Sequence, residues 1–299
     1  MWIMYALLTF ICWGVADLFY KIGNKGKENN NHLKTGIMVG FVMGLHATIY
    51  LIINHVDINI IDIFKYLPVS LLYISSMVIG YKGLKYLELS ISSPIQNTSG
   101  VITALLLLLF FKEQYDYPFY IAVVLIFVGI IILSLVELKS SKEKREEYKK
   151  NNVKSKVIAL TIIFPLIYCL LDGAGTFIDG LYLDKFELIS EDSALVCYEY
   201  TFLIYAVITY IYLKIKKQEI KITNEKPKLF AAIFETAGQF FYVFAMGTNA
   251  TITAPIVGSY CILSLVLSRI FLKEKLTRKE YIAILLVLIG IVILSVLDV

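Results

Sequence analysis

The sequence predicts an all-α membrane protein of ten transmembrane helices in two inverted five-helix repeats, and three observations carry that prediction. The 299 residues are 58% hydrophobic and 17% charged, where a soluble domain holds about a quarter charged residues. So much apolar surface exceeds what one soluble core hides, and lipid must meet the rest. Second, residues 92–113, SSPIQNTSGVITALLLLLFFKE, return 161 positions later as residues 253–274, TAPIVGSYCILSLVLSRIFLKE; carried on to Leu135 and Val296, the register gives 15 identities in 44 positions. Third, the apolar stretches fall five before and five after one charged segment. An odd number of crossings per copy makes the second copy enter the membrane from the opposite side.

Apolar composition alone matches Leu with Ile. It does not place Pro94 with Pro255, Lys112-Glu113 with Lys273-Glu274, Tyr120 with Tyr281 and Gly129 with Gly290 in one register. The chain is a duplication.

A crossing takes roughly 20 mostly apolar residues, and in lipid every backbone polar group must be satisfied inside the segment, so each crossing is a helix. The candidates are 2–22, 35–53, 66–86, 91–111, 118–137, 157–181, 193–215, 228–247, 252–272 and 279–297. The organisation is then a first repeat at 1–137, a charged linker at 138–156 (LKSSKEKREEYKKNNVKSK) and a second repeat at 157–299. The apolar run opens at Trp2 with no basic leader or small-residue cleavage site, so span one is expected to be retained. Loops after spans 1, 3, 5, 7 and 9, with their helix ends, hold 25 of the 28 Lys and Arg; the other side holds Lys65, Lys112 and Lys185. By the positive-inside rule the rich side is cytoplasmic and both termini are outside.

Ionisable groups inside a membrane are costly and mark candidate sites. In span one, Asp17 shares a helix face with Trp13 and Tyr20, an arrangement suited to a cation, while Lys21 at i+4 offers a plain ion pair instead. Span two carries a Gly36, Gly40, Gly44 ladder for close helix packing, followed by His46, a titratable group or a hydrogen-bonded spacer. Span four brings Gln96 and Asn97, which face Val257 and Gly258 of span nine in the repeat register, with Ser259 and Tyr260 following; one asymmetric pocket lined by both halves is expected there. Pro94 and Pro255 are expected to begin their helices. Lys112-Glu113 and Lys273-Glu274 are expected to anchor helix ends.

Span six sets Asp172, Thr176 and Asp179 on one face around the glycines of GAG, with Asp179 near the outer end and expected to be solvated. Glu199 lies near the outer end of span seven, as a site residue or an exposed rim residue. Glu235, Gln239 and Tyr242 form a polar face of span eight, where the acid is a candidate proton carrier or a structural hydrogen-bond acceptor. Spans five and ten are almost purely apolar and suit lipid contact, bracing or a homodimer interface. The four cysteines, Cys12, Cys169, Cys197 and Cys261, sit in apolar stretches without metal-ligand spacing and read as small buried side chains. No phosphate loop, HExxH, CxxC or GxSxG pattern occurs, so no enzyme, cofactor or metal site is expected. The basic loops contain no nucleic-acid module; topology and contact with anionic lipid headgroups account for their lysines.

The ordered set of features resembles the drug/metabolite transporter superfamily, EamA type: two five-helix repeats, Trp13-Gly14 with Lys21 in span one, a proline and Lys-Glu bracketing spans four and nine, and glycine with small residues in spans five and ten. The resemblance covers essentially the whole chain. It implies a central cavity lined by spans 1–4 and 6–9, and secondary transport of small solutes such as amino acids, metabolites or quaternary amines, often as export. Span six departs from it, with LLDGAG where a second Trp-Gly would be usual, and many members keep both termini in the cytoplasm, opposite to the charge count here.

The function expected is alternating-access transport of a small polar, cationic or zwitterionic metabolite of amino acid or amine type across the cell membrane, as an exporter coupled to protons. The expected binding residues are Trp13, Asp17, Tyr20, His46, Gln96, Asn97, Asp172, Thr176, Glu199, Glu235, Gln239, Tyr242 and Tyr260. A neutral sugar or nucleoside transporter, a flippase for a lipid-linked intermediate and a non-transporting scaffold are the alternatives.

Overall fold

Helices form where the apolar runs predict them. The computed structural model describes residues 2–24, 30–85, 89–111, 115–150, 155–218 and 225–296; within these, the side chains of 90, 91, 137, 138, 140–150, 155–162 and 295 are outside the description. The first half consists of α1 (Trp2–Asn24), α2 (Asn31–Asn54), α3 (Ile60–Gly83), α4 (Leu89–Gln96), α5 (Thr98–Phe111) and α6 (Tyr117–Lys150). The second consists of α7 (Ser155–Gly180), α8 (Glu191–Ile215), α9 (Lys226–Thr248), α10 (Ala250–Gly258), α11 (Cys261–Leu267) and α12 (Arg278–Val296). Single π turns, Leu181–Lys185 and Ser268–Leu272, extend α7 and α11.

Nine helical stretches among the described residues are long and apolar enough to cross a membrane, with α4–α5 and α10–α11 each making one crossing. The tenth crossing is α12, whose apolar run follows the charged first turn of Arg278, Lys279 and Glu280. The helix α6 runs well past the expected limit at 137. Its extension is rich in Lys, Glu and Arg, which are strong helix formers, so the helix continues where the membrane ends.

The two halves pack on each other. α1 lies along α9, α3 along α7, α2 along α8 and α6 along α12, while α4–α5 crosses α10–α11. Exchanging the halves maps this set of neighbours onto itself, which is the pattern of an inverted repeat. Missing side chains let the pairs approach. A Cβ on Gly40 would lie 2.4 Å from the Phe202 carbonyl oxygen of α8, and Gly36 and Gly44 press on Tyr205 and Leu203 of the same helix. Gly129 of α6 packs on Val287 of α12, and Gly290 of α12 on Ile126 of α6. The small residues of spans five and ten therefore serve the contact between those two helices, and both helices leave apolar rows such as Val124, Ile131, Leu285 and Val292 facing outward.

The broken crossings correct one expectation. Pro94 and Pro255 do not begin helices; each lies inside a short helix that ends two or three residues later. A proline deprives its helix of one hydrogen bond and crowds the preceding turn, and the chain turns at Asn97 in one half and at Ser259-Tyr260 in the other. The two breaks meet where Gly100 packs on the Ala254 carbonyl and Gly258 packs on Gly100. Ser134 of α6 donates to the Pro94 carbonyl at 3.1 Å and holds the first break in place. Beyond span nine, Glu274 Oε1 accepts from the Leu89 N–H that starts α4, at 3.4 Å, as expected of an anchor. Its repeat mate Lys112-Glu113 lies outside the described residues.

Candidate solute-binding cavity

Four helices each turn one polar stripe toward the centre. On α1 the stripe is Trp13, Asp17 and Tyr20; on α7 it is Tyr168, Asp172 and Thr176; on α9 it is Glu235, Gln239 and Tyr242; on α3 it is Tyr73, Met77 and Tyr81. Spacings of three, four and seven or eight put each set on one helical face. The broken helices complete the wall with Gln96, Asn97, Ser99 and Tyr260, residues at or beside the two breaks. The space between them offers about 70 Å³ to the centres of water-sized molecules, several times the ~10–15 Å³ that a single water needs.

Three carboxyl groups reach this space, and their partners are hydroxyls from other helices. Asp17 Oδ2 accepts from Ser93 Oγ of α4 at 2.6 Å and from Ser264 Oγ of α11 at 2.7 Å. Asp172 Oδ2 accepts from Ser99 Oγ of α5 at 2.6 Å. Glu235 Oε2 accepts from Tyr20 at 3.0 Å, and the Tyr20 oxygen accepts from Tyr81, also at 3.0 Å. No Lys, Arg or His is among the described residues that line the cavity. Lys21 donates to the Leu84 carbonyl at 2.8 Å, and the bonds that Asp17 accepts come from the two serines.

Eight aromatic residues belong to the wall. The Trp13 ring lies 5.0 Å from that of Tyr242 and 5.8 Å from that of Tyr260, and its Nε1 donates to the Glu235 carbonyl at 3.4 Å. Gly238 admits this indole, since a Cβ there would lie 2.4 Å from it. Tyr73 of the first half and Tyr242 of the second join hydroxyls at 2.7 Å.

Eleven of the thirteen expected residues line this one cavity; His46 and Glu199 do not. His46 Nδ1 lies 2.8 Å from Glu199 Oε2 between α2 and α8, and Glu199 is fully buried rather than on an exposed rim. Asp179 is also fully buried, not solvated, because α3 supplies Tyr66 and Tyr73 as hydrogen-bond donors beside it. Residue-by-residue reading missed Tyr73, Met77, Tyr81, Tyr168 and Tyr198, all of them in the wall. The available signal was a set of tyrosines at helical spacing inside lipid-length spans, Tyr73 and Tyr81 among them.

This fold and site define a class, the multi-pass membrane carriers built from inverted repeats around a central cavity. A family model for EamA-like transporters matches residues 1–135 and 187–296, and the chain belongs to that family. It is a transporter of the drug/metabolite type. The match omits all of α7, the span that departs from the family pattern. An uncharacterized protein of Methanocaldococcus jannaschii, MJ1333.1, is 33% identical over 137 residues, which is 96% of its length and 44% of this chain. That relative is about the size of one half. A solved structure described only as "Crystal structure of protein" superposes with a TM-score of 0.64 at 8% identity, covering 97% of this chain and 94% of the other; the likeness is one of fold.

Proposed function

We propose that the protein is a secondary transporter moving a small cationic or zwitterionic metabolite, of amino acid or amine type, across the cell membrane by alternating access of the cavity between the two halves. The single observation that carries this reading is the meeting of Asp17, Asp172 and Glu235 in an aromatic-walled cavity without a basic lining residue among those described. Ionised carboxylates in a low-dielectric site call for compensating charge, and an anionic solute would add to the repulsion. An ammonium group satisfies both the carboxylates and the faces of Trp13 and the surrounding tyrosines.

Proton coupling follows from the same chemistry. A carboxyl that binds either a proton or the substrate cation exchanges one for the other, and the half-to-half rearrangement carries whichever is bound. Export, with the basic loops in the cytoplasm, is the direction this reading assigns.

A thermal-shift screen of the purified protein against amines, amino acids and nucleosides tests the substrate class, because a ligand of the folded state raises its stability. Ammonium compounds should shift the midpoint and nucleosides should not. Flux into proteoliposomes with and without a pH gradient then tests coupling; transport that ignores the gradient removes the proton from the mechanism.

A further inference from the structure

Two cavity-lining residues carry side-chain amide donors that the described residues leave unused. Gln96 of α4 and Gln239 of α9 are 6% and 3% exposed, and both line the cavity. Neither Nε2 has a hydrogen-bond partner among the described residues. One amide comes from each half. Gln239 stands one helical turn from Glu235, and Gln96 one turn from Ser93, which holds Asp17. Room is kept for the Gln96 amide: a Cβ on Gly80 would lie 3.3 Å from its Nε2.

Buried amide donors are almost always satisfied, and one left unmade forfeits its full desolvation cost. Each Nε2 is shielded in this conformation, and rotation of the amide would turn it to water when no solute is bound. A solute that displaces the water must supply the acceptor itself or leave both amides stranded. The carboxyl groups already fix the positive end of the solute.

We infer that Gln96 and Gln239 form an acceptor-reading subsite, so that the substrate is an ammonium compound bearing a carbonyl or carboxylate oxygen, and simple alkylamines are discriminated against. This inference rests on the cation reading above and names the second functional group that the same cavity selects. Sites built to hydrogen-bond a substrate group reject analogues lacking it far more strongly than apolar pockets reject a missing methylene. The two glutamines are therefore specificity determinants, distinct in role from the carboxyl groups.

Matched probes decide it. Leucine, phenylalanine and lysine, each with its amide and its decarboxylated amine, are titrated calorimetrically into the detergent-purified protein. The oxygen-bearing members of the series that bind should exceed the matching amine by about tenfold or more, one lost buried hydrogen bond being worth about that factor. A preference for the amide assigns a neutral carbonyl, and a preference for the amino acid a carboxylate. The unbranched replacements Gln96→Met and Gln239→Met keep side-chain length, and each should bring that ratio toward one by weakening the oxygen-bearing partner more than the amine. Equal affinity of amine and oxygen-bearing partner for the unaltered protein overturns the inference and leaves the cation reading standing. A ratio that persists in both variants also overturns it. If neither variant folds, the ratio in the unaltered protein alone decides. Should none of the nine compounds bind, the cation reading falls and the inference falls with it.

Discussion

Two sets of acids inside the spans differ in the kind of partner they meet. In the central cavity, Asp17, Asp172 and Glu235 accept from serine and tyrosine hydroxyls. Between α2 and α8, Glu199 faces His46 Nδ1 at 2.8 and 2.9 Å, with the rings of Tyr50 and Phe240 packed around the imidazole. Asp179 belongs with neither, since tyrosines of α3 enclose it behind the cavity wall. The difference teaches that an acid inside a membrane span does not by itself mark a binding site. His46 and Glu199 are each other's fixed hydrogen-bond partners. On the reading proposed above, the cavity acids, supported by neutral hydroxyls, take their compensating charge from a cation or proton that arrives and leaves. We therefore propose solute binding for the cavity acids and a structural role, joining the two halves, for His46 and Glu199.

The largest effect that tests this division is neutralisation in the cavity. Asp172→Asn and Glu235→Gln should each lower flux into proteoliposomes by about 100-fold, as when one partner of a desolvated charge pair is removed. Unchanged flux in both would break the assignment of the cavity as a cation site. A smaller effect is expected of Trp13→Leu, which removes the indole face but no charge. Affinity for an ammonium ligand should fall by about threefold to thirtyfold, the range of a cation–π contact, measured by calorimetry.

Smaller still in transport, but visible in stability, are changes at the interhelical pair. Glu199→Gln and His46→Gln should leave flux within about threefold while lowering the unfolding midpoint. A double-mutant cycle should return a coupling of about 1–3 kcal/mol between them. Loss of flux equal to that of the cavity variants would erase the distinction drawn between the two acid groups. The smallest change is Tyr66→Phe, which takes one donor from Asp179 and should cost about 1 kcal/mol of stability with flux retained. A loss of transport there would extend the functional site beyond the Tyr73–Tyr242 contact.

Much of this was legible along the chain. The stripes on α1, α7 and α9 were readable because helical periodicity is local: Trp13, Asp17 and Tyr20, or Glu235, Gln239 and Tyr242, share a face whatever the fold. The fate of Asp179 and Glu199 was not readable. Both stand near the ends of their spans, where position alone suggests water, and both are covered by groups far away in the chain, Tyr66 at 113 residues and His46 at 153. The helix breaks were not foreseen, the prolines being read as helix starts, for a related reason. Proline fixes a weak point but not its side, and the crossing of Gly100 with Gly258 decides where the chain turns.

By itself the sequence determined the helical class, the crossings, the inversion and the inventory of membrane-embedded acids, since hydropathy, repeat register and an odd span count are properties of order along a chain. Only the tertiary structure decided which acids converge. In a membrane protein the lipid side and the packed side of a helix are both apolar, so composition fixes poorly how each helix is rotated about its axis. Packing sets that rotation, and it brings Ser264 to Asp17 across 247 residues and Tyr20 to Glu235 across 215.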